Sequence, residues 1–143
     1  MSNPFDPRAI FHARHAQHVV LIHFPIALFL IGVLLDLLAR VKRDSRLATA
    51  AQMNLTASAF CIFPAYVTGL LAWRFALEGQ QLKGVLLYHL LLASASMVLI
   101  VAAWWLRSRT QLRPIIPLLV ELAGALSISL TAHLGGFLSG VNT

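Results

Sequence analysis

The sequence predicts an all-α integral membrane protein folded as a single up-down-up-down four-helix bundle, and three observations carry that prediction. The 143-residue chain is 59% hydrophobic and only 11% charged, with a mean hydropathy of +0.79. A soluble domain of this length needs far more polar surface, so water is not its main solvent. The charges that exist are spaced to leave long uncharged runs, and each run reaches the roughly 20 residues that a helix needs to cross a bilayer. The connections between the runs are short, which makes sequential helices antiparallel neighbours.

The first span, about Val19–Ala39, lies between Arg14 and Arg40 and contains one charge, Asp36. The second, about Thr49–Trp73, sits in a stretch from Leu47 to Trp73 with no charge. The third, about Gly84–Leu106, is also uncharged, and the fourth, about Ile116–Leu138, carries only Glu121. Two regions follow: a polar N-terminal segment, 1–18, at the membrane interface, and one transmembrane domain over 19–143. The first 18 residues are too polar to be the apolar heart of a removable signal peptide. Cys61 is the only cysteine and lies mid-span, which excludes an intrachain disulfide, a thiolate cluster and covalent Cys-x-x-Cys-His haem attachment.

The net charge of +6 does not indicate nucleic acid, because the basic residues gather at the span ends. Arg40, Lys42, Arg43, Arg46, Arg107, Arg109 and Arg113 fall on one face of the membrane; Arg8, Arg14, Arg74 and Lys83 fall on the other. The positive-inside rule makes the richer face cytoplasmic. The protein is then expected in the bacterial inner membrane as a multi-pass protein, with both termini periplasmic and membrane lipids as its surroundings.

All six histidines belong to the face opposite the basic loops. His12, His15 and His18 precede the first span, and His23 lies roughly 6 Å inside it at 1.5 Å per residue. His89 is about 9 Å past Lys83, and His133 returns to within about 10 Å of the same face. Ionisable groups inside a bilayer are costly and usually face the bundle interior. Three helices that each bring one imidazole to a common depth outnumber what simple interhelical hydrogen bonding requires.

The expected ligand is a b-type haem, which takes two neutral imidazoles on facing helices. The first and third helices are diagonal in such a bundle, so His23 and His89 are the expected axial pair. His133 or His18 supplies an additional ligand or a hydrogen bond to a propionate. Ala65, Gly69 and Ala72 of the second span, with Gly135 and Gly136 of the fourth, are small enough to leave room for a porphyrin edge, or simply to pack helices closely. Arg14, Arg74 and Lys83 line the same rim and suit propionates or lipid headgroups.

Two other ligands compete: a transition metal, Cu or Zn, held by three or more imidazoles, and a quinone hydrogen-bonded by a histidine beside Trp73 and Tyr88. At the opposite face Glu121 and Asp36 are candidates for a proton relay. Asp36 can instead pair with Arg40 or Lys42, and Asn54 can hydrogen-bond Glu121. No Ser/His/Asp triad, phosphate loop or zinc-protease spacing is present.

The stretch His18-Val-Val-Leu-Ile-His23-Phe-Pro-Ile-Ala-Leu28 resembles the opening signature of a bacterial membrane family, domain of unknown function 2231. The resemblance continues through Asp36, Ala65-x-x-x-Gly69, His89 and Leu134-Gly135-Gly136. Val19 stands where the family pattern has proline, and Ala72 where an acidic residue often follows the glycine of the second helix. The resemblance implies a four-helix membrane module, sometimes joined to cytochrome-like domains, and that association favours electron transfer. The expected function is therefore a membrane-bound b-type haem protein working near the periplasmic face. As a subunit of a larger membrane complex it would exchange electrons with a cytochrome c or a quinone. The alternative from another class is a non-redox accessory subunit of a respiratory or photosynthetic complex. A stand-alone oxidoreductase ranks below both.

Overall fold

The computed structural model describes residues 14–75, 81–109 and 115–138, with no account of the side chains of 14–16. These residues form four helices: α1 (Arg14–Lys42), α2 (Ser45–Phe75), α3 (Gly84–Arg107) and α4 (Ile115–Leu138). All four are long and apolar enough to cross a membrane. Large apolar side chains such as Val20, Phe24, Leu34, Val98 and Leu126 are exposed along the outside. That is the surface of a bundle whose solvent is lipid, where every backbone polar group is satisfied inside its own helix.

The helices overrun the apolar runs that announce them. The first begins at Arg14, so His18 belongs to α1 and not to a preceding segment. Polar residues extend a helix past its apolar stretch because each added residue closes another backbone hydrogen bond at little cost. Both α1 and α2 also run unbroken through their prolines, Pro25 and Pro64.

The turn between α1 and α2 needs only two residues. Arg43 adopts a left-handed conformation, φ 53°, and the Asp44 amide donates to the Ala39 carbonyl at 3.1 Å, the helix-ending bond of a Schellman motif. Asp44 then caps α2, its Oδ1 accepting from the Arg46 amide at 2.8 Å. One residue closes one helix and opens the next, which forces a tight antiparallel hairpin.

The α1/α2 and α3/α4 hairpins are the two most intimate pairs, α2 packs on α3, α1 meets α4 more lightly, and the diagonal pairs touch least. The order around the bundle is thus α1, α2, α3, α4, with α1 diagonal to α3. The core draws on every helix: Phe29 and Val33, Leu55 and Ala59, Ile100 and Ala103, and Ile128. Close approaches are made where a side chain is missing. A Cβ on Gly32 would lie 3.0 Å from the Leu55 side chain, and one on Gly124 would lie 2.8 Å from the Phe29 ring. The α2/α3 seam is polar as well as aromatic, with Tyr66 hydrogen-bonded to Ser94 at 2.7 Å and Phe60 edge-on to Trp104.

The two hairpins present matching faces. Pro25, Phe29, Gly32 and Asp36 of α1 are buried at the same spacing as Ser96, Ile100, Ala103 and the half-buried Arg107 of α3. Ala51, Leu55, Ser58 and Ile62 of α2 recur in the same way as Pro117, Glu121, Gly124 and Ile128 of α4. Heptad-like packing alone gives such faces. It does not give the chemical matches described next.

Candidate functional site

A cavity of about 390 Å³ opens among the four helices at the end that carries the histidines. His18 and His23 of α1, Gly69 of α2, His89 of α3, and Gly135 and Gly136 of α4 all line it. The wall is otherwise mostly aliphatic, with Tyr66, Trp73, Ser96 and Thr131 as the main polar contributors. Its size lies within the roughly 300–1,000 Å³ usual for small-molecule and cofactor pockets.

His18 is half-buried, with Nδ1 3.1 Å from the Ala65 carbonyl and 3.3 Å from Thr68 Oγ1, both on the neighbouring α2. Since Thr68 donates its own hydroxyl to the same carbonyl, at 2.9 Å, the His18 Nδ1–H is a second donor to that oxygen. His89 repeats this arrangement on the other hairpin, its half-buried ring directing Nδ1 at the Thr131 carbonyl of α4, 3.1 Å away. A carbonyl can only accept, so Nδ1 is the donor in both rings, and in the neutral form of each the lone pair lies on Nε2.

The supports under the two rings also correspond. A Cβ on Gly69 would come within 2.8 Å of His18 Cε1, and one on Gly135 within 3.2 Å of His89 Cε1. Each ring therefore bonds a carbonyl and packs on the glycine one helical turn further along the same helix. The small residues that the sequence offered as room for a porphyrin make room, in the first instance, for the imidazoles.

Depth matches as well. Asp36 and Arg107, 71 residues apart, are directly bonded at the other end of α1 and α3. His18 and His89 each lie 18 residues, about 27 Å of helix, before that contact. His23 sits about 7 Å deeper than His18 along α1. It is exposed, and its Nδ1 is 2.5 Å from the Val19 carbonyl of its own helix.

The remaining candidates are dispersed. His133 is exposed, stands edge-on to Phe137 with ring centroids 4.9 Å apart, and does not line the cavity. Arg74 is exposed over the ring of Phe75. His12 and Arg113 lie outside the described residues, as do the side chains of Arg14 and His15. Among the described residues, no three of His, Cys, Asp and Glu gather closely enough to hold a metal ion, so the Cu or Zn alternative finds no assembled ligand set there.

Asp36 and Glu121 do come together, at the opposite end. Asp36 Oδ2 accepts from Arg40 Nε at 2.5 Å, and its Oδ1 accepts from Arg107 Nη1. The same Nη1 lies 3.4 Å from Glu121 Oε1, while Arg107 Nη2 donates to the Ala48 carbonyl at 3.3 Å. Arg107 of α3 thereby touches α1, α2 and α4 at once. Asn54 takes no part; it donates to the Ala50 carbonyl of its own helix at 2.9 Å, the local bond that short amide side chains favour. Sequence reasoning counted Arg107 only among the interfacial basic residues. The available signal was spacing, since Asp36 follows His18 by the same interval as Arg107 follows His89.

A family described as "Predicted membrane protein (DUF2231)" matches residues 14–141. No curated protein and no solved structure matches the chain. The match takes in all four helices, the three imidazoles at the cavity, the glycines beside His18 and His89, and the buried ionic cluster: the chain is a member of the DUF2231 family of membrane proteins.

Proposed function

We propose that the cavity holds a b-type haem between His18 and His89, and that the protein carries electrons at this face of the membrane. The observation behind the reading is the equivalence of the two imidazoles. They come from diagonal helices, at one depth, each tied at Nδ1 to a backbone carbonyl, so that the neutral form of each has its lone pair on Nε2. A histidine that binds a metal almost always donates its other ring N–H in this way, which fixes tautomer and ring orientation. Neutral donors also suit a low-dielectric setting, where a charged ligand is costly. Aliphatic walls exclude water from the bound group, and Gly69 and Gly135 keep the two rings against their own hairpins.

When bound, the haem supplies a one-electron couple that no side chain here supplies. The chain's own part would be to hold both rings, one on each hairpin, in the wall of one cavity. His23, deeper on α1 and bonded to its own helix, is then a wall of the cavity. In this reading the protein is a subunit that exchanges electrons with a cytochrome c or a quinone.

The test is bound haem, measured as the pyridine haemochromogen after expression with haem supplied. We expect haem in the wild type, at least a tenfold loss in His18→Ala and in His89→Ala, and retention in His133→Ala and His23→Ala. A wild type without haem rejects the reading. Retention in either of the first two variants, or loss in His23→Ala alone, rejects His18 and His89 as the residues that would hold the haem.

We further propose that the protein lies in the bacterial inner membrane with its histidine end periplasmic. The seven-to-four distribution of basic residues supports that orientation. A C-terminal alkaline phosphatase fusion is expected to be active and a cytoplasm-only fluorescent fusion dark. The reverse pair of results inverts the orientation.

A further inference from the structure

The two buried carboxylates at the arginine end are held very differently. Asp36, 2% exposed, has a guanidinium on each oxygen: Arg107 on Oδ1 and Arg40 on Oδ2. Glu121, 0% exposed, shares Arg107 only at 3.4 Å through Oε1. Its Oε2 is fully buried and has no hydrogen-bond partner among the described residues. A buried carboxylate oxygen left bare is costly, and a proton, the smallest possible partner, removes that cost.

We propose that Glu121 is a proton-exchange site, taking a proton on Oε2 and releasing it, while Asp36 stays the fixed counter-ion of Arg107 and Arg40. Uptake places one proton from water on a carboxylate lone pair and creates the O–H of a carboxylic acid. No other bond changes, and the charge of the cluster rises by one. Among the described residues, the groups that face Glu121 are few. From α1 come Asp36 and Arg40, from α3 Arg107, and from α2 the Ala48 carbonyl that holds the second Arg107 nitrogen. Arg46 of α2 and Lys42 of α1 are exposed and form no ion pair with the cluster among the described residues. Arg40, with its side chain 30% exposed, connects the cluster to water at that end. Glu121 lies about 9 Å of helix from the start of α4, close enough to exchange through a short excursion of the arginine side chains.

This site is independent of the cavity, and its test requires no haem. The chain has only two glutamates, Glu78 and Glu121, so isotope labelling is selective. The full-length protein, labelled with ¹³C-carboxyl glutamate and placed in lipid nanodiscs, would be titrated by infrared spectroscopy across roughly pH 4 to 10. We expect a buried carboxylic-acid C=O band that shifts with the label and titrates with pH. It should persist in Glu78→Gln and vanish in Glu121→Gln. If Glu121→Gln fails to fold, the label shift that persists in Glu78→Gln decides alone. A spectrum without a titrating, label-sensitive acid band, or a band lost in Glu78→Gln, overturns the proposal.

Discussion

The two ends of the bundle solve opposite problems with the same four helices. At the histidine end the polar groups are imidazoles bonded to backbone carbonyls, and the helices stand around a cavity of about 390 Å³. At the arginine end the polar groups are charges, and one guanidinium draws α1, α2 and α4 onto α3. Between them lies a buried apolar layer of Phe29, Leu55, Ile100 and Ile128. Open space inside a bundle forfeits dispersion contacts on every wall. A bundle that keeps such a space at one end needs its helices fixed elsewhere, and the ionic cluster fixes them where the cavity does not reach. At the closed end charge draws three helices onto a fourth; at the open end backbone carbonyls satisfy the rings, which need no counter-ion there.

Removing the clamp should therefore have the largest effect of any single change. Arg107→Met keeps the length of the side chain but leaves Asp36 and Glu121 buried against each other, with Arg40 as the remaining cation. Loss of one partner from a buried ionic group costs about 3–5 kcal/mol. Arg109 is the internal control: exposed and stacked over Trp105 at 4.6 Å, it should change stability by no more than about 0.5 kcal/mol when replaced by Ala. Unfolding in mixed micelles measures both. Adding Glu121→Gln to Arg107→Met should recover part of the loss, since it removes one of the stranded charges. Equal stability of Arg107→Met and Arg109→Ala would mean that the arginine end is not what holds the bundle.

The same contrast explains how much was legible in the sequence. Four apolar runs, two uncharged and two with a single carboxylate, announced four helices, and the positions of His18, His23, His89 and His133 relative to the basic loops announced one histidine face. Helix rotation was not announced. His18 and His23 both lie near the start of α1, and only the direction of each side chain shows that His18 reaches the Ala65 carbonyl while His23 bonds its own helix. Arg107 was obscured for a related reason. A long basic side chain at a helix end can extend to the headgroups or fold back into the bundle. Hydropathy cannot distinguish the two, whereas a buried acceptor on the facing helix can. Asp36 is that acceptor, and α1 had to be docked on α3 before it could be recognised. Asn54 misled because depth alone made it a neighbour of Glu121, while its own helix offered a nearer carbonyl.

A gentler change tests whether the two histidine supports are as equivalent as they look. Alanine at Gly69 would place its Cβ 2.8 Å from His18 Cε1, closer than real Cβ atoms come, so the ring must move. The ring is held by the 3.1 Å bond to Ala65, and moving it stretches or breaks that bond. Overpacking of this kind costs about 1–3 kcal/mol. Alanine at Gly135 would sit 3.2 Å from His89 Cε1, a contact relieved by a shift of a few tenths of an ångström that the 3.1 Å bond to Thr131 can absorb. Its expected cost is below about 1 kcal/mol. Neither helix loses propensity, because alanine is the better helix former, so any destabilisation reports the ring contact. Unfolding in mixed micelles, read beside the ¹⁵N shifts of the two imidazoles, separates the cases. Gly69→Ala should perturb His18 strongly and leave His89 unchanged, while Gly135→Ala should move His89 slightly. If both substitutions are neutral and neither imidazole shifts, the glycines serve helix packing and not the rings. If Gly135→Ala proves the more damaging, His89 rather than His18 is the more tightly held ring, and the asymmetry between the hairpins runs the other way.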